Sequence, residues 1–203
     1  MISLRIKKIR VIFRFGFFAS ITLLILLNES VYAIFGMYAC LIHEAGHLIA
    51  MKYHRVPVRE IMFYSAGVRI EPGIKPEITP FFQNLLILVS GAAANMITAV
   101  ISLAVFRLTD LNNAWIFYGV NLVIGVFNLL PLRMFDGGRI IGLFVNNFSS
   151  VEKAAENEAF RTKIDFLLII LTAIAFFILG NRNISLYLTL CYFAASEFFT
   201  DDR

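Results

Sequence analysis

Apolar residues run along this chain in long blocks rather than in short alternations. Six blocks predict membrane-spanning helices, at about 11–27, 31–51, 82–106, 114–132, 164–180 and 184–200. A spanning helix needs roughly 20 apolar residues, with about 17–25 usual. In the first block Arg14 lies near one end, where its long stem lets the charge snorkel to the interface. Residues 52–81, between the second and third blocks, are too polar to span. There Val68-Arg69-Ile70-Glu71 alternates with period two, Val58 to Tyr64 offers a partner, and Ala66-Gly67 offers a turn. That predicts a small β-hairpin at the membrane surface. Ser149-Ser150-Val151-Glu152 reads as a capping box opening a short solvated helix. The pattern therefore predicts an all-α integral membrane protein with six transmembrane helices, folded as a single membrane-embedded domain over 1–203. There is no internal repeat and no Pro-rich linker.

Composition agrees with the pattern. Of 203 residues, 59% are hydrophobic and 16% charged, and the mean hydropathy is +0.78. Soluble domains carry about 25% charged residues, and disorder requires low hydrophobicity. Both classes are excluded.

The net charge of +4 sharpens topology rather than suggesting nucleic acid, which is not an expected partner. Short cytoplasmic loops collect Lys and Arg. With six spans, sixteen of eighteen basic residues fall on one side, and only Arg107 and Arg182 on the other. That places both termini and the two long loops in the cytoplasm. A cleaved signal peptide ending near Val31-Tyr32-Ala33 is the rival reading of the start, but Asn28–Ser30 leaves almost no room before the next block. Cys40 and Cys191 both lie in apolar blocks and read as small buried hydrophobes, not as a disulfide. Trp115 opens an apolar block, where an interfacial ring would sit.

Against this background a few polar residues stand out. The second block contains His43-Glu44-Ala45-Gly46-His47. Ionisable groups inside a span are costly and usually functional. Four residues apart on a helix, the two imidazoles share a face. This is the H-E-x-x-H arrangement, in which two neutral nitrogens hold zinc and the carboxylate acts as base. The bland alternative is a histidine pair bonding between helices. A catalytic zinc needs a third protein ligand. Asp136, in Asp136-Gly137-Gly138 after the helix-disrupting Pro131, is the candidate. His43 lies about 13 Å from the Lys52 boundary and His47 about 7 Å, at a rise of about 1.5 Å per residue. Asp136 belongs to the same side, so no ligand has to cross the bilayer. His54 reads as a solvated loop residue.

On these residues the chain resembles the site-2 protease family of intramembrane zinc metalloproteases, and most of all its stage IV sporulation protein FB branch. The first family motif is matched at His43, Glu44 and His47. The second, N-x-x-P leading to D-G, is matched at Asn128, Pro131, Asp136 and Gly137. The third-span motif reads Gly91-Ala92-Ala93-Ala94-Asn95, without the family's Pro, and a Pro common just before the Asp is replaced near Met134-Phe135. The resemblance covers roughly 10–200, and no CBS or PDZ domain is expected.

The resemblance implies one catalytic zinc ion on His43, His47 and Asp136, with Glu44 as general base. It implies Asn128 and Asn95 as contacts for substrate. The substrate would be a membrane-anchored protein or peptide cut near the cytoplasmic leaflet, such as a pro-sigma or anti-sigma factor. An inhibitory or regulatory membrane partner also occurs in such systems. A divalent-metal transporter is the rival from another class, but paired broken helices in inverted repeats are missing. A partner-binding protein without catalysis would normally have lost a motif residue, and none is lost.

Overall fold

In a computed structural model, the described residues are 2–6, 9–18, 22, 31–64, 67–74, 78–133, 135–148, 154–178 and 190–191. The chain divides into two compact units, Met1–Leu129 and Leu130–Arg203.

The first unit holds four strands and three helices. The strands are β1 (Ile2–Ile6), β2 (Ile9–Phe13), β3 (Val58–Tyr64) and β4 (Gly67–Pro72). The helices are α1 (Val31–Tyr53), α2 (Phe81–Thr109) and α3 (Asn112–Asn128), and each packs on the other two. The sheet order is β1-β2-β3-β4, with β2 and β3 parallel and both outer pairings antiparallel. Residues opposed across the ladders share a face. Ile2, Leu4, Ile6, Ile9, Val11, Phe13, Ile61, Phe63, Val68 and Ile70 accordingly fall on one wholly apolar side. The Phe13 and Phe63 rings stack there at 4.6 Å. The other face carries the Arg10–Glu60 ion pair at 3.8 Å, with Glu60 buried.

Two expectations need correction here. The chain is not six spans with a lone hairpin. Among the described residues, two helices, α1 and α2, are long and apolar enough to cross a membrane. The 11–27 block begins instead as β2 and a short helical turn at 15–18. Its start, Val11-Ile12-Phe13 after Ile9-Arg10, is rich in β-branched and aromatic residues, which favour a strand where a partner strand is at hand. The 114–132 block ends as a helix at Asn128, after 17 residues. That is about 26 Å at 1.5 Å per residue, short of a bilayer core of about 30 Å. The 164–180 block is the latter part of a helix that begins in the charged stretch at Ala154. The 184–200 block, apart from 190–191, and the capping box at 149–152 lie outside the described residues. The strands at 58–64 and 67–72 do pair antiparallel. They are half of an open four-stranded sheet, because β2 supplies a neighbour for β3.

Helix α1 stops at a Schellman turn. Arg55 takes a left-handed φ of 57°, and Val56 N–H reaches back to the Met51 carbonyl at 2.8 Å while Arg55 N–H bonds that of Lys52 at 3.2 Å. The buried stripe of α1 is Ala39, His43, Gly46, His47 and Met51. Cys40 falls off that stripe and is exposed, as is Cys191, which corrects the expectation that both are buried. Most of the remaining surface of α1 and α2 is apolar and exposed, including Ile34, Leu41, Ile49, Phe82, Ile97 and Val100. So large an apolar surface marks a membrane-facing one.

The three helices approach closely at glycines. A Cβ on Gly46 would lie 2.5 Å from the Ser90 carbonyl oxygen, and one on Gly125 would lie 2.7 Å from Met96 Cε. The second unit holds α4 (Asp136–Phe148) and α5 (Ala154–Ile178).

Gly46→Val should destabilise the first unit by about 1–3 kcal/mol through overpacking. Gly36→Ala, where nothing lies within 4 Å, should be neutral or stabilising by up to about 1 kcal/mol. Thermal unfolding of the detergent-solubilised protein distinguishes the two.

Candidate metal centre

His43 and His47 sit one helical turn apart on the buried stripe of α1. Their rings meet edge to face at 4.8 Å. What fixes them is the partner of each Nδ1. His47 Nδ1 lies 2.8 Å from the Ile87 carbonyl oxygen of α2. That oxygen can only accept, so Nδ1 carries a hydrogen, and in the neutral ring Nε2 is the nitrogen left to bind a metal.

For His43 the logic runs through two amides. Asn121 Nδ2 donates to the Phe117 carbonyl at 2.9 Å, which leaves its Oδ1 as the acceptor. Asn95 Nδ2 donates to that Oδ1 at 3.0 Å and to the Ala39 carbonyl at 2.9 Å. Asn95 Oδ1 therefore faces His43 Nδ1, at 2.8 Å, and His43 Nδ1 is the donor. The partners thus assign the same tautomer to both rings. Their Nε2 atoms converge at 3.1 Å. Two Nε2 atoms aimed at one point are suited to sharing a cation when both rings are neutral.

Room for them comes from Gly91 on α2. A Cβ there would strike His47 Nε2 and would come within 2.7 Å of His43 Nε2. Glu44, next to His43 on α1, is half-buried.

In the second unit, Asp136 opens α4 and is buried, with Gly137 and Gly138 beside it. A Cβ on Gly138 would collide with the Leu132 carbonyl, so only glycine closes this turn. Phe135 N–H bonds the Leu132 carbonyl at 2.9 Å. Arg139, one turn along α4, lies 3.7 Å from Asp136 Oδ1. Asp165 of α5 is buried and accepts the Arg133 backbone N–H at 3.2 Å. His43 and His47 in the first unit and Asp136 in the second each offer a ligand atom of a kind that can hold a metal ion. Two imidazole nitrogens and one carboxylate are the ligand types of a catalytic zinc site.

The two remaining sequence candidates differ in setting. Asn128, on the last turn of α3, is half-buried and donates to the Ile124 carbonyl at 3.0 Å. Asn95 has no exposed surface. Its amide is engaged with His43, Ala39 and Asn121 inside the helix packing. Sequence reading passed over Asn121 and Asp165. Each is a polar residue within an apolar block, which is the only signal either gives.

Gly91→Ala should push the two rings apart and lower metal content by at least about 10-fold, the scale for disturbing ligand support. Elemental analysis of purified protein checks this. Asp165→Leu should cost about 1–3 kcal/mol, since it orphans the Arg133 N–H. Asp165→Asn, which keeps an acceptor oxygen, should recover most of the loss in unfolding measurements.

Residues 111–172 match the family model of Peptidase family M50. That stretch contains Asn121, Asn128, Asp136 and Asp165. No curated protein matches the sequence. Among solved structures, the fold is similar to that of the site-2 protease from Methanocaldococcus jannaschii, with a TM-score of 0.69 and 22% sequence identity, over 97% of this chain and 93% of that one. The family model thus matches over the stretch that holds the second motif, and the fold is similar to that of a site-2 protease.

Proposed function

We propose that the protein hydrolyses a peptide bond in a membrane-anchored protein, using one zinc ion held by His43, His47 and Asp136. The convergence of the two Nε2 atoms at 3.1 Å, each with its Nδ1 engaged elsewhere, carries this reading. Zinc bound there would supply a Lewis acid and a water of lowered pKa. Glu44 takes the proton of the attacking water and delivers it to the leaving amine. It is well placed in sequence, being rigidly fixed beside His43 on α1.

A peptide bond inside a substrate helix has its carbonyl engaged, so the substrate has to be extended locally. β4 is an outer strand in the sheet order, and an extended segment can add to such an edge. Asn128 would hold the substrate backbone. Its position at the end of α3, just before the turn that leads to Asp136, supports this. The basic residues Arg10, Arg14, Lys52, Arg55, Arg59 and Arg69 lie in or beside the sheet and at the adjoining end of α1, against Arg107 near the far end of α2. That bias supports a cytoplasmic setting for the His47 end of α1. The finer resemblance to the stage IV sporulation protein FB branch rests on sequence motifs alone. It favours pro-sigma or anti-sigma factors as substrates.

Co-reconstitution with a tagged membrane-anchored substrate tests the reading. Glu44→Gln should keep its metal and lose cleavage by about 100- to 10,000-fold, the range for removing a general base. A chelator should abolish cleavage, and added zinc should restore it. Full cleavage by Glu44→Gln would overturn the mechanism.

A further inference from the structure

We infer that Asn95 and Asn121 are positioning residues of the metal centre, forming a two-amide relay that sets the tautomer and aim of His43. The inference rests on the reading of His43 as a zinc ligand and goes beyond it in assigning the support behind that ligand.

The relay runs without a break from α3 to α1. The Phe117 carbonyl orients Asn121, Asn121 orients Asn95, and Asn95 Oδ1 receives the His43 Nδ1 hydrogen. A second anchor holds the middle amide, because Asn95 Nδ2 also bonds the Ala39 carbonyl on α1, one turn before His43. Both amides have no exposed surface and are the largest fully buried side chains among the described residues. Neither can touch a substrate. An amide buried in an apolar bundle is costly unless every group is partnered. Here each partner fixes the direction of the next, so that rotating either amide would set like groups against each other.

Hydrogen-bond partners behind a metal-binding histidine fix its ring and tautomer. His47 obtains this from a backbone carbonyl. His43 takes an amide oxygen, that of Asn95. Asn95 follows Gly91 by one turn of α2, so the same helix makes room for the rings at one level and holds one of them at the next.

The test uses the full chain in detergent, with Zn²⁺ titrated against a chromophoric chelator and Co²⁺ as a spectroscopic probe. Asn95→Leu, of similar volume, should weaken zinc binding about 10- to 100-fold and change the visible Co²⁺ spectrum. Asn121→Ala should act in the same direction but less strongly. It carries the test if Asn95→Leu does not fold. Unchanged zinc affinity and an unchanged Co²⁺ spectrum in a folded variant would overturn the inference, and a raised KM alone would return Asn95 to substrate binding. Wild-type protein that fails to bind zinc would instead overturn the proposed function, which keeps the two failures apart.

Discussion

A polar group inside an apolar helix bundle must find its partner within the protein, and the whole first unit is arranged around that demand. The Asn95 amide meets it by bonding to α1 twice, at Ala39 and His43, and to α3 at Asn121. Three helices are thereby tied at one level. Between helices in lipid, such bonds and close packing replace the hydrophobic drive that water would provide.

Close approach is the second half of the same design. Gly46, Gly91 and Gly125 let backbones come near enough for short amide and imidazole side chains to reach across. A larger residue at Gly91 would occupy the space that the His43 and His47 nitrogens use. The metal-binding geometry is therefore a product of helix packing, with the hydrogen bonds selecting one tautomer within it.

Much of the site was legible in the sequence, because His43 and His47 are related by a helical period that is local. Asp136 was legible through its glycines and Pro131, since Gly138 meets the Leu132 carbonyl. The rest depended on tertiary placement. Nothing local distinguishes Asn121 from a surface amide, and Asp165 sits at the edge of an apolar block like any boundary charge. Apolar length alone does not separate a span from a strand at the start of the chain. Residues 10–13 are mostly β-branched or aromatic, and their pairing with residues 60–63 across a long sequence separation makes a strand of what apolar length predicts as a span.

The two histidines differ in what holds them. His47 leans on the main chain at Ile87, a support that no single side-chain replacement on α2 removes directly. His43 leans on side chains, and those can be exchanged. Sequence drift or laboratory evolution can thus retune one ligand while the other stays fixed, which makes the α2–α3 amide pair the adjustable element of an otherwise invariant centre.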